Sequence, residues 1–579
     1  MIESTAFATF RFFRAFPLAC VALAALLARN GFAAERDLAP RVENFSDDFR
    51  QVRLRVEPCW PAASGAKSKG LRPVRLIVGF RAGEPVCVWA HGVSATPAVM
   101  HLLRERTARL TADALKGRLT LFFGDGTMRE DAAPLPIEFD LKISGRDLSG
   151  TIAVGAEKPA QAKGSLASGA ELAKENALAA GKDWPGWQGV EASVRGPASG
   201  LTLVDELPHA RPVWRSEAFV PTAFGNAADF RYALRSAAQG TCGGASSPVV
   251  LGGRVFLYYY QASGSVDEKA AAAALAKAAK PLPEFQQAWV RDMFRDAADD
   301  VIVAHDAASG RALWRTTLPL RTLNLQTHKH RGVNPTPLAA GGALFVPSYS
   351  GRVYCLDAAS GAVRWEFPAP AAKPFVGSTG QKGSGEIPVG CASPVLIGGT
   401  LGVTIKEELV GIAAENGRQL WKTRVAPSAQ LYAWASGGKA TFLAVGVENA
   451  KQKGESSATI VSLVDAVDGK VIWRAEADFI RDYRLPIIAG DLLIGYRYGK
   501  DAANNITDGN ANVLVARRLI AGGLESAWEL KGLPAVTDSY GLTAHDGFVY
   551  LSGDADVWAI SLKDGAVAAK IAGTGGART

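Results

Sequence analysis

Short apolar runs broken by glycine-rich turns dominate this chain, and their period is that of strands. Within residues 36–155, the stretches 75–80, 85–90 and 118–123 read as strands. Residues 137–143 and 147–153 alternate apolar and polar positions, which places one face of each in a core. Residues 97–109 are predicted as a short helix, with Thr96 as N-cap and Pro97 at the first helical position, where a missing N–H costs nothing. The region 36–155 is therefore expected to be a small β-sandwich or flattened barrel. Residues 156–183 are rich in Ala, Lys, Gly and Glu without a strand pattern, and read as a linker that is partly helical.

From residue 184 to 579 the pattern repeats. Two short strands joined by a glycine turn are followed by an apolar strand and then by Asp-x-x-x-Gly-x-x-x-Trp. The copies carry Asp306, Gly310 and Trp314; Asp357, Gly361 and Trp365; Gly417 and Trp421, with Ala413 in the Asp position; and Asp465, Gly469 and Trp473. Two degenerate copies follow, one ending at Trp528 and one keeping Asp564-Gly565 with Ala569 in place of Trp. The tryptophans lie 51, 56, 52 and 55 residues apart, a period of short strands that predicts an all-β, multi-bladed β-propeller. Asp opens a tight turn by accepting from the following amides, and Gly supplies the positive φ that closes it. Trp then falls in the outermost strand, where its ring covers the seam to the next blade. Six repeats are visible. The strand 212–215 ends in its own Trp and belongs to a seventh blade or closes the ring. About seven four-stranded blades are expected, within a range of six to eight.

The motif Ala-x-Asp-x-x-x-Gly-x-x-x-Trp resembles the tryptophan-docking repeat of pyrroloquinoline-quinone-type propellers. The segments 246–253 and 392–399, both Ser-Pro-Val followed by apolar residues and Gly-Gly, are similar to that family's inner strand and turn. The stretch 184–196 resembles an exported branch of the family. The resemblance covers about residues 184–579. It implies two kinds of function: quinone-dependent dehydrogenases, and an outer-membrane assembly propeller. In the dehydrogenases it implies neighbouring cysteines against the quinone, acidic and amide calcium ligands, and an Asp base. This chain has no adjacent cysteines and no Cys-x-x-Cys-His haem site, so no catalytic residue is assigned and no cofactor or metal is expected. Quinone with calcium belongs only to the alternative oxidoreductase reading.

Connections alternate between two faces of a propeller. The turns between first and second strands, and between third and fourth, are short. The remaining connections are predicted to be long and to mark the functional face. The largest insertion, 261–300, reads as two helices, with 265–268 as a capping box. It is either a lid over the central funnel or a surface ornament. Binding candidates on this face are His328, His330, Arg331, Asn334, Arg481, Arg484, Asp538 and Tyr540, donors suited to carboxylate or sugar groups. The pair His328 and His330 lacks the three or four ligands a metal requires.

The N-terminus changes the picture of where the protein works. Arg11 and Arg14 precede the apolar run 15–28, and Gly31, Ala33 and Ala34 follow, so residues 1–34 read as a signal peptide. Cys20 lies within the apolar run, which argues against a lipid anchor there. The expected location is the periplasm or cell envelope, or outside the cell, with no later transmembrane segment. Removing the signal leaves five cysteines, with Cys59 and Cys87 a possible local disulfide and Cys355 a buried thiol. A mild positive excess is spread along the chain without a basic tail, so no nucleic-acid partner is expected. These features point to an exported binding or scaffold propeller whose long-loop face takes a protein, peptide or glycan. An oxidoreductase or an envelope assembly factor is the alternative.

Overall fold

In the computed structural model, residues 38–61, 71–91, 100–124, 135–155, 158–175, 183–186, 242–243, 246–277, 281, 284–292, 294–322, 335–348, 350–368, 392–427, 429–448, 458–478, 486–497, 513–533, 542–552 and 556–572 are described. Strand β1 (Arg41–Asn44) precedes a nine-stranded antiparallel sheet. That sheet holds β2 (Arg50–Pro61), β3 (Leu71–Arg81), β4 (Glu84–His91), β5 (Met100–Arg106), β6 (Arg109–Leu110), β7 (Ala114–Gly124), β8 (Leu135–Ser144), β9 (Asp147–Val154) and β10 (Ala160–Ser168). Its order is β4-β3-β2-β10-β9-β8-β7-β5, with β6 on β7. The Leu110 N–H donates to the Gly83 carbonyl (2.9 Å), drawing the two ends together, so the sheet is a nearly closed barrel. Strand alternation turns Val52, Leu54, Val56, Leu76, Val78, Phe80, Leu119, Ile137 and Phe139 inward as one core.

Three expectations fail in this region. Residues 97–109 do not form a helix where they are described: Met100 to Leu103 pair with Gly124 to Leu121 of β7, whose open edge outweighs local helix signals. Residues 156–183 are not a linker throughout. Strand β10 joins β2 to β9, and without it the barrel wall would be split. Helix α1 (Gly169–Glu175) follows, its start fixed by a reciprocal cap: Ser168 N and Oγ donate to Glu171 Oε2 (2.7 and 2.8 Å), and Glu171 N donates to Ser168 Oγ (3.2 Å). Cys59 and Cys87 do not form a pair either. Cys87 lies opposite Gly79, and Gly79 opposite Gln51, eight positions from Cys59 along β2. At about 3.3 Å per residue this exceeds the Cα separation a disulfide spans several-fold.

The propeller follows. Blade 1 contains β11 (Cys242–Gly243), β12 (Val249–Leu251), β13 (Arg254–Val266), β14 (Arg295–Asp306) and β15 (Ala312–Thr322). Between β13 and β14 stand α2 (Glu268–Leu275) and α3 (Glu284–Asp292), the predicted helical insertion. The cap of α2 is Asp267, whose side chain accepts from Ala270 N (2.9 Å), rather than Ser265, whose N–H is taken by Asp296 (2.8 Å). Blade 2 is β16 (Leu338–Ala340), β17 (Ala343–Pro347), β18 (Val353–Asp357) and β19 (Val363–Phe367). Blade 3 is β20 (Val395–Ile397), β21 (Thr400–Ile405), β22 (Glu408–Ala413) and β23 (Gln419–Arg424). Blade 4 is β24 (Gln430–Ser436), β25 (Lys439–Glu448), β26 (Ala458–Asp465) and β27 (Val471–Ala477). Blade 5 is β28 (Ile487–Ala489), β29 (Leu492–Arg497), β30 (Val513–Ile520) and β31 (Gly523–Leu530), and blade 6 is β32 (Leu542–His545), β33 (Phe548–Ser552), β34 (Asp556–Ser561) and β35 (Val567–Ala572). Six blades thus stand among the described residues, each an antiparallel meander. The strand proposed at 212–215 lies outside them.

The core sits in the seams. Phe256, Ile302 and Trp314 of blade 1 pack with Leu344, Val346 and Leu356 of blade 2, and equivalent clusters join each blade to the next through blade 6. The repeat motif explains these seams. The Trp314 indole N–H donates to the Ala358 carbonyl in the next blade's turn (3.3 Å), Trp365 to Ala414 (3.0 Å), Trp421 to Ala466 (3.3 Å) and Trp528 to Leu562 (2.9 Å). Each ring lies over that turn's glycine. A methyl at Gly361 would sit 2.6 Å from the Trp314 ring, and Gly361 has φ 75°, so glycine is required there twice over. The Asp of the motif works as expected: Asp357 Oδ1 accepts from Ala359 N (3.0 Å) and Ser360 N (2.8 Å).

Strand β1 does not join the barrel. It pairs with β15, Arg41 opposite Thr317 and Asn44 opposite Trp314, as a fifth strand on the outer edge of blade 1. Phe45 N donates to Leu313 O (3.0 Å), Arg81 Nη2 donates to Ala312 O (3.3 Å), and Arg311 pairs with Asp47. Barrel and blades lie in one compact unit from Pro40 onward.

Candidate functional site

The two faces of the propeller differ as expected. On one face the strands meet in tight turns such as Gly252-Gly253, Gly341-Gly342, Gly398-Gly399 and Gly437-Gly438, together with the Asp-x-x-x-Gly turns. The other face carries the α2–α3 hairpin, the connections 449–457 and 498–512 within blades, and 323–337, 368–394, 478–486 and 531–541 between them. Blades 2, 3 and 6 depart from this rule: residues 348–352, Lys406-Glu407 and 553–555 join their second and third strands in two to five residues, and 425–429 leads directly into blade 4.

The sequence-derived candidates His328, His330, Arg331, Asn334, Arg481, Arg484, Asp538 and Tyr540 all lie outside the described residues. What the structure shows instead is the framework beneath one of these loops, a buried polar cluster at the seam of blades 1 and 2. Asp300 of β14 is fully buried. Its Oδ1 accepts from the Tyr258 hydroxyl of β13 (2.8 Å) and its Oδ2 from the Tyr354 hydroxyl of β18 (2.7 Å), so one carboxylate ties two blades together. Burial pushes the Asp300 carboxyl up to about 6, against the opposing pull of hydroxyl donors Ser348, Tyr354 and Tyr258. Tyr354 is held well above the usual phenol range by burial and by the neighbouring Asp300.

Directly across the β18–β19 ladder from Tyr354 stands Glu366. Its buried carboxylate bridges Arg321, at the end of β15 (3.1 Å), and Arg352, just before β18 (2.9 Å). Two guanidinium groups from two blades therefore share one carboxylate, in an environment where each ion is stable only because the others are present. Arg321 is followed within two residues by the connection that holds His328, His330, Arg331 and Asn334. A second ion cluster joins blades 4 and 5. Arg517 donates to both Asp478 (2.6 Å) and Glu529 (2.9 Å), and Arg497 makes a paired contact with Glu529 (3.0 and 2.6 Å); Asp478 directly precedes the connection holding Arg481 and Arg484.

Sequence reasoning passed over Asp300, Tyr258, Tyr354, Arg321, Arg352 and Glu366. A signal existed for one of them. Asp300 sits at the head of the apolar run Val301-Ile302-Val303, on the same strand face as Ile302, which faces the seam core. His305 lies inside blade 1, where burial lowers its imidazole to about 4 and keeps it neutral. Cys355 is buried in the seam of blades 2 and 3, where burial raises its thiol to about 11, an inert state.

A family model described as outer membrane protein assembly factor BamB matches residues 298–570. This stretch is similar to the pyrroloquinoline-quinone-type propeller repeat family. No curated protein matches the chain significantly. Among solved structures, the chain is similar to BamB from Moraxella catarrhalis at 14% identity, covering 48% of this chain and 84% of that one, with a TM-score of 0.26. The quinohemoprotein alcohol dehydrogenase of Comamonas testosteroni is 12% identical, with 71% and 76% covered and a TM-score of 0.34. The ADHIIG enzyme of Pseudomonas putida HK5 is also 12% identical, with 62% and 73% covered and a TM-score of 0.33.

The quinone that gives the propeller family its name would need neighbouring cysteines and a set of calcium ligands. Cys355 is sealed between blades 2 and 3, and Cys87 is in the barrel wall. Among the described residues, no three His, Cys, Asp or Glu side chains gather into a metal-binding group. Asp300, the most buried carboxylate of blade 1, spends its oxygens on tyrosines. No helix among the described residues is long and apolar enough to cross a membrane.

Proposed function

We propose that this protein is an exported scaffold of the periplasm or cell envelope that binds a protein, peptide or glycan on the long-loop face of its propeller. The asymmetry of the two faces carries this reading. One face is closed by tight turns, and the glycines of its Asp-x-x-x-Gly turns are committed to seam packing. The other bears the long connections, and beneath them a buried ion cluster at the seam of blades 1 and 2 and a partly exposed one at blades 4 and 5 fix the strand ends from which the loops spring. Rigid strand ends carrying long polar loops are how binding surfaces are commonly built. On this reading His328, His330, Arg331, Asn334, Arg481, Arg484, Asp538 and Tyr540 are contact residues, with their donors suited to carboxylates or hydroxyls. The described family model is that of an assembly factor for outer-membrane proteins, which favours a protein as the partner.

The test is photo-crosslinking in the native envelope. A crosslinking amino acid at positions 331, 484 and 538 is expected to capture a discrete partner. The same residue at 359, 416 and 468 on the tight-turn face is expected to capture none. Equal capture from both faces, or capture only from the tight-turn face, would overturn the assignment. Mass spectrometry of the mature chain should find a first residue of 34 or 35; an unprocessed N-terminus would remove the export reading.

A further inference from the structure

The outer wall of the barrel carries a line of charge that neither the propeller nor its seams account for. Across β8, β9, β10, β2 and β3, the directly opposed outward residues are Lys142, Ser149, Lys163, Arg55 and Arg75. All five are exposed. The same register line continues to the position of His91 on β4. Four cations and no acid occupy the line from Lys142 to Arg75, and among the described residues none of the four has an ion-pair partner.

Several other cations of this barrel are ion-paired. Arg53 pairs with Glu175 (2.8 Å), Arg146 with Glu171 (3.5 Å) and Glu175 (3.2 Å), Lys116 with Asp140 (3.4 Å), Arg109 with Glu84 (3.2 Å) and Arg81 with Asp48 (3.3 Å). Like charges placed directly opposite on neighbouring strands destabilise a sheet. Lys163 faces Arg55, and Arg55 faces Arg75, so the barrel holds this row against its own stability. A row kept at such a cost is explained by a ligand that neutralises it.

The geometry selects the class of ligand. Strands lie about 4.8 Å apart, so the row extends roughly 20 Å across the strands and around the curved wall. A flat bilayer meets only part of a line that curves away, whereas a flexible chain follows it. A single-stranded nucleic acid would be gripped by aromatic residues interleaved with the cations, and the register line from Lys142 to Arg75 holds none. We propose that this row binds an acidic polysaccharide, whose successive sulfate, phosphate or carboxylate groups lie along Lys142, Lys163, Arg55 and Arg75. The guanidinium groups of Arg55 and Arg75 supply paired donors to these groups, and the two lysines supply point charges.

The test uses the full exported chain and fluorescein-labelled heparin as the probe, with anisotropy measured over a series of salt concentrations. The variant K142S/R55S/R75S/K163S is expected to bind about tenfold more weakly or worse. Its slope of log affinity against log salt should fall by about three, because each lost cation releases fewer counterions. A control with the same charge removed from the propeller, K422S/R424S/K439S/K470S, should keep both affinity and slope. Since removing opposed like charges relieves repulsion, the row variant should melt no lower than the parent. Should it fail to fold, the single variants Arg55→Gln and Lys163→Gln, each expected to bind a few-fold more weakly with a slope lower by about one, decide the matter. Equal losses in row and control variants, or unchanged binding in the row variant, would overturn the proposal. So would parent binding to phosphatidylglycerol vesicles or single-stranded DNA without binding to heparin.

Discussion

Replacing Asp300 with Asn tests the polar seam between blades 1 and 2 in a way that truncation cannot. The carboxyl is buried and held at about 6 in the folded protein, against a usual value of 3.8. Its folded-state value is raised, so the folded state takes up the proton more readily than the unfolded chain. The resulting stabilisation is complete below pH 3.8 and disappears as pH rises through 6. Between pH 7.5 and 4.5 the linkage amounts to about 2 kcal/mol, from about 1.4 kcal/mol for each pH unit over the window between these limits. Asparagine keeps a planar group of the same shape for the Tyr258 and Tyr354 hydroxyls, and it cannot titrate. The assay is urea unfolding followed by tryptophan fluorescence, to which Trp314 in the same seam contributes. The quantity compared is the stability of the parent minus that of D300N, measured at each pH so that all other titrating groups cancel. That difference should shift in favour of the parent by about 2 kcal/mol on going from pH 7.5 to 4.5. A difference that is flat with pH, or one that shifts the opposite way, would refute burial as the dominant influence on this carboxylate.

The remaining predictions concern how the seams are held. Glu366→Gln leaves Arg321 and Arg352 buried around a neutral amide and should destabilise by about 3 kcal/mol in the same urea assay. Gly417→Ala, at φ 74° and with a methyl 2.8 Å from the Trp365 ring, should lower stability by about 2 kcal/mol; unchanged stability would show that the ring is not seated on that turn. Trp365→Phe gives up a hydrogen bond to Ala414 and should cost about 1 kcal/mol more than Trp473→Phe, whose indole N–H has no acceptor. Deleting residues 35–45 removes β1 and should expose the outer edge of blade 1, read as new proteolytic cleavage between the barrel and β15.

The propeller was legible because its determinants are local and repeated. Asp357, Gly361 and Trp365 each do one job that depends on a few neighbouring residues, so the motif survives as text. Trp473 shows the limit of that legibility. It has the motif's indole, but blade 5 closes its third turn with Ala521-Gly522 and no Asp-x-x-x-Gly, so the indole finds no carbonyl. In the barrel, β10 looked like linker because its sequence, Ala160 to Ser168, has only two buried apolar side chains, Ala162 and Ala167. Its place as a strand comes from β2 and β9, whose edges need a partner between them. Strand β5 reads as helix in the sequence because Thr96 and Pro97 form a local helix-start signal, while its strand pairing with β7 comes from a distant segment. The buried Asp300 cluster was invisible because its members come from three strands in two blades, and no spacing along the chain links Tyr258, Asp300 and Tyr354.

The attachment of β1 to blade 1 bears on how the two modules work together. A barrel tethered only through residues 176–182 would tumble freely, and any polymer bound on its wall would be independent of a partner on the propeller. Here the chain leaves β1 at Asn44, turns through Asp47 and Asp48 beside Arg311 and Arg81, and enters β2 six residues later. Gly169, at the start of α1, donates its N–H to Phe49 O (3.2 Å), so the far end of the barrel chain is fastened to the same strap. Two ligands held by this protein would therefore be held at a fixed separation. A ligand that reaches both surfaces would gain from effective concentration, a gain that cutting the β1–β15 ladder should reduce without weakening either interaction alone.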